Sequence, residues 1–258
     1  MVRPAFVIAG LLAPALLSAA AGPALAQEAP GRPVHAAGAI DGETLALADG
    51  GELRLIGLLV PAEPARRAEE ARAELERIAA GRELTLAVGE RARDRRGRLL
   101  AQAVTADGVW LQGALLAAGL ARVETFADNC ARAGEMLAIE RTARAARRGL
   151  WADARFRVLQ AAQAETAPEG LQDGFQLVEG RVLEVSERRD RFYLDFGRDW
   201  RRDFSVSIRK RDRARFRAAG LDPATLQGAV LRVRGWLRKW NGPLIEATHP
   251  EQFERLTP

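Results

Sequence analysis

Arginine, in two concentrations, is the residue type in this chain best suited to chemistry. Residues 91–98 carry five arginines around Asp94, and residues 188–202 interleave arginines with Phe192, Tyr193, Phe196 and Trp200. Guanidinium groups bind phosphate bidentately, and aromatic faces stack nucleic-acid bases, so this pairing suits a polyanion. Trp200, Arg201 and Arg202 lie between strand-like stretches and are the candidates for exposure, whereas Phe192 and Phe196 alternate as core residues do. Residues 236–241 (WLRKWN) repeat the mixture. The net charge of +5 and pI near 10.4 favour an anionic partner. Nearly every basic residue is Arg, however, with Lys210 and Lys239 the exceptions, and biased codon usage yields that without selection for phosphate.

Other chemistries find little support. His35 and His249 stand far apart with no clustered cysteines, and no HExxH, GxSxG or Gly-rich phosphate loop occurs. Cys130 is single, so it forms no internal disulfide, and it reads as a small half-buried helix residue. Trp110 and Trp151 read as packing residues. His249, followed by Pro250 and Glu251, reads as the entry to a terminal helix.

These residues need elements to hold them. Residues 1–26 have the layout of a secretory signal peptide: Arg3, an apolar run over 7–17, and Ala24-Leu25-Ala26 before Gln27. That pattern implies a secreted, periplasmic protein without a membrane span after cleavage. Residues 27–34 form a leader. A first domain over 35–153 follows, with strands near 37–40, 44–48, 52–60, 84–88 and 98–105. Its helices fall near 64–80, 110–118 and 129–147. Residues 154–174 read as a linker, and 175–258 as a second domain. There, strands near 175–185, 192–196, 204–208, 230–237 and 244–248 surround a basic helix at 210–219, with a hairpin at Asn241-Gly242.

Five segments of the first domain, in order, resemble the thermonuclease (staphylococcal-nuclease-like) family. They are Asp41-Gly42-Glu43-Thr44, Arg54-Leu55-Ile56-Gly57 with Pro61, Asp94-Arg95-Arg96-Gly97-Arg98, residues 111–123 and residues 140–151. The resemblance implies an α+β fold, mainly β: a five-stranded oligonucleotide/oligosaccharide-binding barrel with three helices. The second domain, with Tyr193 to Gly197, Trp200 to Phe204 and Arg234 to Trp236, is similar to domains that follow such modules in exported bacterial proteins. It implies a second small β-barrel-like domain.

Members that cut nucleic acid use two arginines, a glutamate base and carboxylates that hold calcium. By that resemblance Arg54 and Arg98 are the phosphate-binding arginines, with Arg95 and Arg96 beside them. Glu43 stands at the first calcium carboxylate, Leu59 at the second, and Ala62 at the general base. Calcium takes six to eight oxygen ligands, and hydrolysis needs an aligned, deprotonated water, which neither Leu59 nor Ala62 supplies. Glu63, one residue on, would rescue the base only through a bulge, and Asp41 and Asp94 read more simply as turn residues. The expectation is therefore a pseudoenzyme that binds single-stranded nucleic acid or another phosphate-bearing ligand. It needs no cofactor, and calcium enters only if the site is active, with Glu43 its one weak ligand. An atypical phosphodiesterase and a protein-binding scaffold of the cell envelope are the alternatives.

Overall fold

The computed structural model describes residues 33–164 and 174–256, so the signal-peptide reading of 1–26 and most of the leader lie outside the described residues. Short strands close the first unit into a barrel in the order β1-β2-β3-β6-β5. These are β1 (Val34–Asp41), β2 (Thr44–Leu47), β3 (Glu52–Leu55), β5 (Glu83–Arg93) and β6 (Leu99–Thr105). Alternation puts Leu45, Leu53, Leu55, Leu84 and Ala101 inside, with helices α1 (Ala65–Ala79), α2 (Leu111–Ala117) and α3 (Ala133–Ala145) closing the barrel. On α1 the buried residues are Ala71, Leu75, Ile78 and Ala79, the stripe its sequence spacing predicts.

Two boundaries differ from expectation. The strand expected over 52–60 breaks at Gly57, where φ is +84° and a Cβ would lie 2.5 Å from the Met136 side chain. The chain resumes as β4 (Leu58–Leu59), paired with β7 (Arg122–Val123). The helix expected from 129 begins only at Ala133, because Arg132 at φ +58° is left-handed and lays its guanidinium over the Trp110 ring.

The second unit is an eight-stranded sheet coiled into a half-barrel. Its strands are β8 (Leu159–Gln160), β9 (Phe175–Arg181), β10 (Glu184–Arg188), β11 (Arg191–Asp195), β12 (Ser205–Arg209), β13 (Val230–Trp240), β14 (Gly242–Ala247) and β15 (Phe253–Leu256). Phe192, Phe204, Val206, Leu231, Val233 and Ile245 fill its core beside Phe216 of α4 (Arg213–Ala218). The stretch expected as one strand over 175–185 is split into β9 and β10. Asn241, at φ +61°, turns β13 into β14 as the Asn-Gly pair predicts.

Two further readings need correction. Residues 154–164 of the expected linker are not free chain: Phe156 is buried, and Leu159–Gln160 adds a parallel strand to β9. The terminal helix is a single 3-10 turn, Pro250–Gln252, after which β15 pairs with β13 and Phe253 packs edge-on to Phe216. In both places one or two apolar anchors outweigh local composition.

The units share a joint. A third apolar cluster joins Ala143, Leu150, Trp151 and Phe156 to Phe175 and Leu177 of β9, with Leu59 packed against it. Above it Arg234 of β13, fully buried, reaches Glu140 of α3 at 2.9 Å, Glu254 of β15 at 2.8 Å and the Val123 carbonyl at 3.1 Å. Arg122 donates to the Phe175 carbonyl and stacks on that ring, 4.8 Å from its centroid.

Candidate phosphate-binding cleft

Three adjacent strands bring the two arginines together. Thr44 of β2 lies opposite Arg54 of β3, and β3 runs parallel to β6, whose first residue follows Arg98. Arg54 therefore projects between the buried Leu53 and Leu55, and Arg98 enters the same cleft from the end of the 91–98 hairpin. The cleft, about 250 Å³, is lined by Arg54, Arg91, Asp94, Arg98, Phe126 and Asn129 among others.

Each arginine already has partners. Arg54 donates to the carbonyls of Leu55 (3.3 Å) and Leu58 (3.2 Å) and pairs with Glu43 at 2.8 Å. Arg98 donates from Nε to Asp94 at 2.7 Å and from Nη1 to Thr44 Oγ1 at 3.3 Å. A ligand phosphate would add to or replace these carboxylates. Arg95 and Arg96 lie exposed at the hairpin tip and do not line the cleft.

Glu43 is fixed by the turn before β2: Asp41 accepts its N–H, and its own carboxylate accepts the N–H of Val60 at 2.8 Å. Burial pushes its carboxyl up to about 7, against the pull of Arg54 and the Val60 N–H. The residues present do not fit a calcium ion. Glu43 is bound to Arg54 and a backbone amide, Asp41 closes its own turn, and Leu59 offers no oxygen where a second carboxylate is needed. Leu59 serves the joint instead, packed against the cluster that includes Phe175 and Trp151. Ala62 and Glu63 are both exposed, and neither lines the cleft.

Sequence spacing gave no sign of Glu124, which stands beside this centre. Burial raises its carboxyl, which accepts the indole N–H of Trp236 from the second unit at 2.7 Å. Nor did it connect His249 with Cys130. The sequence reading set that histidine apart from any cysteine, yet the fold places one ligand atom each from Cys130, His249 and Glu251 within 4.8 Å of one another. Cys130 lies in the loop before α3 and His249 and Glu251 at the turn before β15, so sequence separation hid the contact. Both ring nitrogens of His249 meet hydroxyls, of Thr125 at 2.7 Å and Thr248 at 2.9 Å, and the Cys130 thiol donates to the Phe126 carbonyl. Burial holds His249 down at about 4 and Cys130 up at about 12, so both are neutral at pH 7.

In the second unit Trp200, on the β11–β12 loop, is exposed as expected, with Arg201 stacked over its ring at 4.7 Å to the centroid. Arg201 and Arg202 line a separate cleft with Arg238 and Lys239. The structure therefore divides the candidate residues: Arg54 and Arg98 share one cleft, Trp200, Arg201 and Arg202 belong to the other unit, and Arg95 and Arg96 stand at a hairpin tip.

Among the described residues no helix is long and apolar enough to cross a membrane. No curated protein matches the chain. Residues 53–153 match the family model described as Staphylococcal nuclease homologue, a span that runs from β3 to just past Trp151. With the closed five-stranded barrel, that match makes the first unit a staphylococcal-nuclease-like domain, a module of the nuclease or nucleic-acid-binding type.

Proposed function

We propose that this protein is an exported, periplasmic nucleic-acid-binding relative of the thermonucleases in which hydrolysis is lost or very weak. The observation that carries the reading is the state of the carboxylates around Arg54. Glu43 is held by Arg54 and Val60, Asp94 by Arg98, and the remaining family positions are Leu59 and Ala62. Two guanidinium groups bind and orient a phosphodiester, but they do not deprotonate a water. Losing a general base alone lowers a rate by roughly 10²–10⁴.

One observation favours an atypical phosphodiesterase as the second reading. A carboxyl near 7 is poised for general-base work at neutral pH, and Glu43 has that property beside Arg54. Its hydrogen bond to Val60 and pairing with Arg54 oppose that role, because both must loosen before it reaches a water.

The test incubates the chain with labelled single-stranded DNA and RNA, with calcium and with chelator, and follows cleavage and binding against salt. Binding without cleavage, weakening as salt rises, is the expected result. Calcium-dependent cleavage that disappears in both Arg54→Ala and Glu43→Gln would establish the second reading. A chain that neither binds nor cuts would return the barrel to the role of an envelope scaffold.

A further inference from the structure

Among the described residues four large aromatic side chains are exposed: Phe126 (55%), Trp200 (44%), Trp236 (47%) and Trp240 (71%). They come from three distant stretches of sequence, yet all four line clefts that share residues with one another. The Arg54–Arg98 cleft shares Phe126 with the next, which Trp236 and Arg238 also line. That one shares Arg238 with a third, lined by Lys239, Arg201 and Arg202. The third shares Asn241, Gly242 and Pro243 with a fourth, held by Arg188, Trp200 and Trp240.

We propose that these clefts form one continuous track for single-stranded nucleic acid, running from the Arg54–Arg98 cleft across the joint to the Trp200–Trp240 end of the second unit. The proposal rests on the nucleic-acid-binding reading above and names the rest of its site. Along β13 the residues Trp236, Arg238 and Trp240 project from the same face, since strand side chains alternate. Successive positions on one face are about 7 Å apart, roughly twice the 3.4 Å spacing of stacked bases, which leaves room for a base between neighbours. Exposed aromatic faces with free cations between them are how proteins hold single strands without reading sequence. Arg238 and Lys239 are exposed and neither pairs with a carboxylate among the described residues, so their charge is available to phosphate.

The track also contains acidic groups, and their state is consistent with the ligand. Glu124 accepts the Trp236 indole N–H, and Glu246 is held by Arg209 at 2.8 Å and by Arg191 at 3.3 Å. Asp94 is held by Arg98, and Asp195 accepts from Ser205. A duplex would not reach these aromatics, whose faces need unpaired bases. The occupant is therefore a single strand.

The experiment measures binding of the full chain to labelled single strands of about 6 and about 25 nucleotides, and to a duplex of the longer length. Variants are Arg98→Ala in the first unit and Trp200→Ala, Trp240→Ala and Arg238→Ala/Lys239→Ala in the second. These five positions are exposed or half-buried, so the changes leave both cores intact. For the long strand, Arg98→Ala and Trp240→Ala should each weaken binding, Trp240→Ala by about tenfold. The Arg238→Ala/Lys239→Ala pair should lower the log–log salt slope by about 1.4. The duplex should bind more weakly than the single strand.

If only Arg98→Ala weakens the long strand, the barrel cleft binds nucleic acid and the track is overturned. If only the tryptophan variants do, binding is confined to the second unit and continuity is again overturned. Equal binding of duplex and single strand overturns the stacking argument. No binding of any strand at low salt removes the nucleic-acid reading together with the track.

Discussion

Two clusters of arginine and carboxylate sit within one molecule, and their burial sets them apart. At the cleft Arg54 pairs with Glu43 and Arg98 with Asp94, all partly open to solvent. At the joint Arg234 pairs with Glu140 and Glu254 at almost no exposure. The same ion pair does different work in each place. Where water reaches, a phosphate can compete for the guanidinium. Where it does not, each charge depends on its protein partners, and removing one leaves the others less well compensated. Residues next to the cleft also serve the joint: Leu59 packs against the cluster that contains Phe175, and Glu124 accepts the Trp236 indole N–H.

The sharpest test of that contrast is at the joint. Arg234→Ala leaves Glu140 with the Val123 N–H and Arg144, and Glu254 with the longer pairs to Arg232 and Arg141, and should cost about 3 kcal/mol in urea unfolding. A loss below about 1 kcal/mol would mean that the two units fold independently and that the buried pairing does not couple them.

A second test separates the regions by the sign of their pH dependence. His249, at the joint, has its pKa lowered by burial from 6.5 to about 4. The unfolded chain binds that proton more readily, so the contribution is full above 6.5 and is lost as pH falls towards 4. Glu43, at the cleft, is raised by burial from 4.5 to about 7. Its contribution is full below 4.5 and is lost as pH rises through 7. Each amounts to about 3 kcal/mol by linkage, with opposite slopes that largely offset between pH 4.5 and 6.5. Glu43→Gln should therefore leave stability rising with pH over that window, and His249→Gln should leave it falling. Parallel unfolding curves for the two variants would refute the assignment.

Much of the fold was legible beforehand because local signals agreed with the final structure. The α1 stripe of Ala71, Leu75, Ile78 and Ala79, the Asn241 turn, and the inward Phe192 and Phe196 each follow from period or turn chemistry. The arginine pair was legible only through the family resemblance, since neither residue's spacing points to the other. What escaped was long-range. Arg234 and Glu140 are 94 residues apart, and Thr125 and His249 are 124 apart, so no window of sequence contains either contact. Phe156 and the Val158-Leu159 pair escaped differently: they are short apolar islands among Arg, Gln and Ala, with no repeat to mark them as anchors. The signals available for the track were the mixtures of arginine and aromatics at 188–202 and 236–241, and the alternation Arg234-Trp236-Arg238-Trp240 places four large side chains on one strand face.

The smallest expected effect closes the comparison from the cleft side. Arg98→Ala removes a pair to Asp94 and a hydrogen bond to Thr44, but water can take the place of the guanidinium at both. Its cost to stability should be about 1 kcal/mol, several-fold below that of Arg234→Ala, although the two residues have the same chemistry. Its effect on strand binding should exceed its effect on folding, whereas Arg234→Ala should lose binding only in step with folding. Measuring both quantities on both variants asks whether burial separates a ligand-facing arginine from a structural one. If Arg98→Ala unfolds the protein as readily as Arg234→Ala, the cleft arginine is a structural strut, and its position beside Arg54 needs no phosphate to explain it.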